Sequence, residues 1–203
     1  MGCGKSSVGR RLAAMLGCDF ADLDELIAAR AGRSIPEIFA AEGEEAFRAR
    51  ELDALSSVLS PGRADLPDEV PGRSDVAAWA SSHQSPVPAG DLVLSLGGGT
   101  PVRPEARRLL RESGATCIYL RAQAGTLRSR LSAEGIKARP MLTQRPLEEL
   151  LAERESIYQE LADIVLDTDD LSTHEVAQFL AAELSSRASS HNVSPSLLTS
   201  PLP

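Results

Sequence analysis

The first residues of the chain could bind phosphate. Gly4, Lys5 and Ser6 match the end of the pattern G-x-x-x-x-G-K-[ST], whose glycines let backbone N–H groups close around phosphate oxygens. In such a loop the lysine neutralises the phosphates and the serine binds magnesium. The first glycine of the pattern would lie two positions upstream of Met1, and no strand leads into the loop, so we expect the sequence to start at an internal methionine or to be a fragment. Taken alone, the triplet could be a chance occurrence in an exposed turn.

Two carboxylates, Asp22 and Asp24, follow a short apolar run. Alternate residues at the end of a strand face the same side, so both carboxylates could face one cleft. One could hold magnesium through water, and the other could accept a proton from a hydroxyl group. The alternative is that Asp24 caps the helix that follows, which is the commoner role of an aspartate in this position.

An arginine and a glycine run could form a second polar cluster. Arg48 lies in a charged helical run at 42–51, which would usually be a solvated face, but the adjacent Phe47 indicates that this edge of the helix approaches the core. Gly97, Gly98 and Gly99 follow an apolar run. Because one glycine usually suffices for a turn, three at the end of a strand favour close approach of a ligand to the backbone.

A basic segment contains Arg130, Lys137 and Arg139, and Arg154 follows it on a predicted helix. A mobile basic segment followed by a helical arginine suits a lid that closes over phosphates. A solvated basic loop is the alternative, which the arginines alone do not exclude.

These residues are positioned by alternating strands and helices. One helical pattern ends at Gly17, and Ser34 with Glu37 forms a capping box that begins another. Strands that alternate with helices predict an α/β protein with a parallel sheet. The candidate strands lie at 92–96, 116–120 and 164–166, with a weaker one at 18–21.

Two segments interrupt this pattern. Residues 60–91 are rich in Pro, Gly, Ser and Asp and predict a surface insertion, which Trp79 could anchor to the body. Residues 185–203 are rich in Ser and Pro and predict a disordered tail. The predicted domain therefore covers residues 1–184.

Composition limits the classes of partner and location. The 203 residues carry a net charge of −8, which argues against a nucleic-acid or membrane-surface binder. No apolar run approaches the roughly 18 residues of a membrane span. Three scattered cysteines without metal-ligand spacing favour a reduced, cytoplasmic location.

The order of the motifs resembles that of the shikimate kinases. In chain order they are G-K-S, D-x-D, E-G-E-x-x-F-R-x-x-E, a strand with G-G-G, R-P-x-L, R-x-x-x-Y and D-T. The resemblance covers residues 2–168 apart from the insertion. It implies a three-layer P-loop kinase fold, with a short parallel sheet flanked by helices and with the first central strand missing from this chain. It also implies transfer of the γ-phosphoryl group of ATP to the 3-hydroxyl of shikimate, with Mg²⁺ and as a monomer.

The resemblance also implies roles for single residues. Catalysis would depend on Lys5, Asp24 and Arg139, and the metal would lie near Ser6 and Asp22. ATP would contact Gly2, Cys3, Gly4, Lys5, Ser6, Ser7, Arg130 and Arg139. Shikimate would contact Asp24, Arg48, Glu51, Gly97, Gly98, Gly99 and Arg154.

Two other functions remain open at this point. Another small-molecule P-loop kinase, such as a gluconate-type kinase, shares the phosphate loop and the lid but matches less well at the carboxylates, at Arg48 and at the glycines. A catalytically inactive nucleotide-binding module is suggested by the incomplete loop and by the insertion.

Overall fold

The structure, a computed structural model, describes residues 3–59, 91–131 and 145–191. Within these ranges, short parallel strands alternate with helices, as the sequence predicts for an α/β protein. A 3₁₀ turn covers Thr100–Val102. The strands are β1 (Asp19–Asp22), β2 (Leu92–Ser95), β3 (Ile118–Arg121) and β4 (Ile164–Asp167). The helices are α1 (Lys5–Leu16), α2 (Leu23–Ala31), α3 (Ile35–Leu59), α4 (Pro104–Glu112), α5 (Ala124–Arg130), α6 (Leu147–Leu161) and α7 (Thr173–His191).

The four strands form two parallel pairs. β1 pairs with β2, in a register that places Asp22 opposite Ser95. β3 pairs with β4, in a register that places Arg121 opposite Asp167. Each strand begins within two residues of its predicted position, so the predicted strands are confirmed. Among the described residues no strand joins the two pairs.

A cavity of ≈ 1600 Å³ lies between the two pairs of strands. All of β2 and most of β3 line it, while the residues of β1 and β4 do not. Apolar side chains of α1 and α7 also line it, among them Leu12 and Leu180. An extended strand buried between two parallel neighbours would meet surroundings of this kind. The predicted central strand remains a prediction, and the cavity is compatible with it.

The first helix begins and ends as its sequence predicts. Gly4 precedes α1 with a φ of 77°, and Gly17 ends it with a φ of 69°. Both lie in the left-handed region, where a residue with a side chain is strained. Leu12 and Leu16 are buried on the inner face of α1.

The long helix α3 begins at its predicted capping box and is bent within its length. Ser34 and Glu37 form the predicted capping box, in which the Ser34 N–H and hydroxyl both donate to Glu37 Oε2, at 2.8 and 2.7 Å. Gly43 interrupts the helix with φ 81° and ψ 175°, a conformation that glycine adopts readily. The half of the helix after this bend carries Phe47 and Arg48 toward the candidate site.

Apolar clusters cover both faces of the strands. Phe20 belongs to the cluster that includes α1 and α7, whereas Ala21 packs with Leu26 of α2 and Val58 of α3. Successive residues of β1 therefore face opposite layers, as the period of a strand requires. A further cluster joins α2, α3 and α4. The protein thus has the layered α/β architecture that the resemblance implies.

The two interrupting segments fall mostly outside the described residues. The insertion is described only at Asp91, and the expectation that Trp79 anchors it lies outside the described ranges. Helix α7 continues to His191, so the predicted tail boundary at 185 falls inside a helix. In the parts of the chain that the structure describes, no helix is long and apolar enough to cross a membrane.

Candidate active site

The phosphate loop, residues 3–6, leads directly into α1. The positive end of the helix dipole and the first N–H groups of the helix therefore face any anion held in this loop. Cys3 is buried, and the Lys5 ammonium lies 3.9 Å from its sulfur. Burial raises the pKa of the Cys3 thiol, but the charge of Lys5 and backbone hydrogen bonds outweigh it, so that this pKa lies below its usual value. The loop is therefore electropositive, as phosphate binding requires.

Asp22 connects the loop to the second helix. Its Oδ2 accepts a hydrogen bond of 2.5 Å from the Ser6 hydroxyl, and its Oδ1 accepts one of 3.0 Å from the Asp24 N–H. The second bond caps α2, so the alternative in which Asp24 is the cap is wrong: the helix begins two residues earlier than that alternative requires. The Asp24 side chain is thus left for another role.

Asp24 is a carboxylate whose pKa is shifted toward neutrality. Burial, followed by the negative charges of Asp22 and Glu51, raises its pKa to about 6, against the opposing effect of Lys5 and Arg48. A carboxylate with this pKa accepts a proton more readily than an exposed aspartate does. Asp24 Oδ1 and Glu51 Oε1 both lie beside Gly97, so the structure brings Asp24 together with the glycine run and with the glutamate that holds Arg48.

Arg48 is held by a buried glutamate on its own helix. Its Nη1 donates to Glu51 Oε2 at 2.8 Å, and its Nε and Nη2 contact the more exposed Glu44. Glu51 is only 3% exposed, and its other oxygen accepts a 2.6 Å hydrogen bond from the Thr100 hydroxyl. Phe47 is buried, which confirms that this edge of α3 lies at the core.

The glycine turn, residues 97–99, passes between these side chains. A Cβ at Gly99 would overlap the Arg48 guanidinium. A Cβ at Gly97 would lie 3.0 Å from both Asp24 Oδ1 and Glu51 Oε1. The absence of side chains in the turn is therefore what allows the charged groups to converge.

Arg154 closes the other side of the turn. It is 5% exposed, and its Nη1 donates to the Gly98 carbonyl at 3.3 Å. The Tyr158 hydroxyl also donates to this carbonyl. Its buried Nε has no hydrogen-bond partner among the described residues. A buried unpartnered N–H of a guanidinium is costly, so this group favours an anionic ligand. We name this side of the site the arginine pocket: Arg48, Glu51, the glycine turn, Thr100, Arg154 and Tyr158.

Some of the remaining predicted nucleotide contacts lie within the described ranges and others lie outside them. Ser7 is exposed in the first turn of α1. Arg130 lies at the end of α5 and donates to the Thr168 carbonyl at 2.6 Å, so it is held by the loop after β4. Gly2 and Arg139 lie outside the described residues.

Three residues of the site have no assigned role in the sequence analysis. Thr100 directly follows the glycine triplet, Tyr158 belongs to the R-x-x-x-Y motif, and the Ser95 hydroxyl lies 3.5 Å from that of Ser6. Tyr158 could have been found from its motif, whereas Ser95 and Thr100 carry no signal beyond their position at the carboxyl end of a strand.

Comparison with known proteins identifies the family. A family model described as shikimate kinase matches residues 1–64 and 82–185. The shikimate kinase of Stenotrophomonas maltophilia (strain K279a) is 35% identical over 200 residues, which cover 96% of this chain and 93% of that protein. The chain belongs to the shikimate kinase family.

Solved shikimate kinase structures agree with this assignment. A shikimate kinase from Acinetobacter baumannii in complex with shikimate has a TM-score of 0.71 at 29% identity, covering 96% of this chain and 91% of that one. The Aquifex aeolicus shikimate kinase has a TM-score of 0.62 at 28% identity, covering 93% of both chains. The protein therefore has the P-loop α/β kinase fold and belongs to a family of ATP-dependent kinases.

Proposed function

We propose that this kinase transfers the γ-phosphoryl group of ATP to the 3-hydroxyl of shikimate, giving shikimate 3-phosphate and ADP. The observation that carries the proposal is the pair of guanidiniums in the arginine pocket, of which that of Arg154 is buried and that of Arg48 is half-buried. Arg48 lies against Gly99, and Arg154 bonds to Gly98 while its Nε lacks a partner in the described residues. Two planar guanidiniums facing one small pocket suit a carboxylate, which can accept two hydrogen bonds from each.

The roles of the other residues follow from the chemistry of phosphoryl transfer. Little covalent chemistry is required of the protein, which has to align the reacting oxygens and neutralise charge. Lys5 in the phosphate loop and Arg139, together with Gly2, Ser7 and Arg130, would contact ATP. Asp24 would orient the acceptor hydroxyl and accept its proton, which its raised pKa favours.

Ser6 and Asp22 form a donor set that fits magnesium. Mg²⁺ prefers hard oxygen ligands and usually keeps several waters, with one or two carboxylates and the substrate phosphates. The hydroxyl and the carboxylate lie 2.5 Å apart beside the phosphate loop. When bound, the metal would neutralise charge on the ATP phosphates. In the described ranges no group of three or more His, Cys, Asp or Glu residues is arranged to hold an ion.

The two alternatives predict different results with different acceptors. A gluconate-type kinase would phosphorylate gluconate, and an inactive module would phosphorylate neither acid. Membership of the shikimate kinase family argues against the first, and the presence of both Lys5 and Asp24 at the site argues against the second. Cytoplasmic location, a monomeric state and the absence of nucleic-acid partners remain predictions from the sequence.

The experiment that tests the proposal is an acceptor panel. ADP release is measured with Mg²⁺–ATP and shikimate, gluconate or a shikimate analogue whose carboxylate is replaced by a hydroxymethyl group. We expect turnover with shikimate, a much higher KM for the analogue, and a product phosphorylated at the 3-hydroxyl by ³¹P–¹H correlation. Turnover with gluconate alone, or ATP binding without any turnover, would assign the chain to one of the alternatives.

A further inference from the structure

Thr100 is a buried polar residue at the centre of the arginine pocket. It is 1% exposed and is the first residue of the 3₁₀ turn, where its N–H donates to the Gly97 carbonyl at 3.1 Å. Its hydroxyl donates to Glu51 Oε1 at 2.6 Å. The residue therefore joins the glycine turn to helix α3 through one side-chain hydrogen bond.

The hydrogen bond from Thr100 determines which Glu51 oxygen remains for Arg48. One oxygen accepts from Thr100 and the other accepts from Arg48 Nη1 at 2.8 Å. Arg48 therefore uses one end of its guanidinium on Glu51. Among the residues that the structure describes, its Nε and Nη2 donate to the half-exposed carboxylate of Glu44, at 3.4 and 3.3 Å. Such a long, exposed contact is weak, and a ligand carboxylate could replace it.

We propose that Thr100 is a positioning residue that keeps Arg48 available for the acceptor carboxylate. This inference rests on the proposed function. Without the hydroxyl, Glu51 Oε1 would be a buried acceptor with no donor, which is costly. Rotation of Glu51 to take a second N–H from Arg48 would satisfy it, since carboxylates and guanidiniums form two-bond pairs readily. That rotation would occupy an Arg48 N–H group that the shikimate carboxylate would otherwise bind.

The test compares Thr100→Val, which keeps the shape and removes the hydroxyl, with Thr100→Ser, which keeps the hydroxyl. We expect the valine variant to raise the KM for shikimate about tenfold, the scale of one charge-assisted hydrogen bond, with the KM for ATP within about twofold. The serine variant should restore the parent KM. Thr168→Val is a control for the KM for shikimate alone, because it removes another buried hydroxyl, which bonds to the Arg121 carbonyl and accepts from Arg130 on the nucleotide side. It should leave the KM for shikimate unchanged.

A second measurement does not depend on the acceptor. The Arg48 side-chain N–H signals are recorded by ¹H–¹⁵N NMR in the protein without ligands and assigned with Arg48→Lys. We expect Thr100→Val to shift them and Thr100→Ser to leave them near their parent positions. If the parent protein does not bind shikimate but the shift is seen, the acceptor assignment fails and the positioning role stands. If neither the signals nor the KM for shikimate respond to Thr100→Val, the positioning role is wrong.

Discussion

The arginine pocket and the phosphate loop are built in different ways. The pocket is made by side chains of three separate segments, and its polar groups bond to one another: Glu51 joins Arg48 to Thr100, and Arg154 bonds to Gly98. The loop depends on backbone, on a glycine with a φ of 77° and on the start of α1. Within the described residues, Ser6 links the loop to the sheet through its contacts with Asp22 and with Ser95.

Because of this difference, we expect substitutions in the two regions to have different effects. The pocket is supported, through Phe47 beside Arg48, by the apolar cluster that joins α2, α3 and α4. The loop borders the cavity between β2 and β3, and its shape depends on what supports it there. Substitutions in the pocket should therefore change acceptor binding selectively, and changes beside the loop should affect ATP and stability together.

The largest expected effect is at the phosphate loop. Lys5→Ala should lower turnover by at least about a hundredfold, because it removes a positive charge that meets the migrating phosphoryl group. The fold should remain intact, since Lys5 is the first residue of α1 and does not belong to its buried face. Arg11→Ala, at an exposed position of the same helix, is the control for loss of a positive charge. Turnover of the Lys5 variant within a few-fold of the parent would remove Lys5 from the catalytic set.

Next in size are the arginines of the pocket. Arg48→Lys and Arg154→Lys should each weaken shikimate binding about ten- to hundredfold, because lysine keeps the charge but cannot donate two parallel hydrogen bonds. ATP affinity should change little. Calorimetric titrations with shikimate and, separately, with ATP measure both.

Arg50→Lys is the matched control for these two variants. Arg50 lies on the same helix as Arg48 but is exposed and pairs with Glu42, so its replacement should change neither affinity. Unchanged shikimate affinity in both pocket variants would mean that the arginine pocket does not bind the acceptor, and the chain would then be a kinase of unassigned acceptor.

The contrast also explains what the sequence could predict. The strands and the caps at Gly17 and Ser34 follow from local patterns, because period, turn residues and capping depend on near neighbours. The sequence predicted the carboxylate pair but not which member caps the helix. Asp22 is the cap, and this depends on the residue at which α2 begins. The bend at Gly43 was also missed, since an isolated glycine is tolerated in a helix.

Contacts between distant segments are what the sequence could not supply. The Thr100 hydroxyl meets Glu51, 49 positions away, and Tyr158 meets Gly98, 60 positions away. These pairings arise when α3 and α6 pack beside the glycine turn, and no local pattern encodes them. The raised pKa of Asp24 depends in the same way on groups brought together from α1, β1 and α3.

A smaller effect is expected at the cavity behind the loop. Adding upstream of Met1 a strand of about five apolar residues that ends in a loop glycine should raise the melting temperature by roughly 10 °C and tighten ATP binding, because a central parallel strand is hydrogen-bonded on both edges and buried on both faces. The control carries a proline in the middle of the added segment, which a central strand does not tolerate. Thermal melts and ATP titrations compare the two. Equal melting temperatures and affinities with and without the added strand would mean that the cavity does not accept it.

The smallest expected effect is a pH dependence of stability at Asp24, which lies between the phosphate loop and the arginine pocket. Its pKa rises from an ordinary value of 3.8 to about 6 in the folded protein. The folded state therefore holds the proton more tightly than the unfolded state, so this group's contribution to stability is fully present below about pH 3.8 and is lost as pH rises through 6. Asp24→Asn resembles the protonated carboxyl at every pH and should not show this loss.

The measurement is the difference in melting temperature between Asp24→Asn and the parent, without metal or nucleotide, from pH 4 to 8. We expect a difference near zero at pH 4 that grows to roughly 3–6 °C above pH 6, or on the order of 1–2 kcal/mol, with turnover lost in the variant. Asp53→Asn, whose carboxylate is 86% exposed, should show no such trend. Titrating groups remote from the substituted position are common to the parent and both variants, so they cancel in the difference, whereas Asp22 and Glu51 titrate together with Asp24. A difference that is constant across the range would mean that Asp24 titrates normally, and its raised pKa could then not be invoked for proton acceptance.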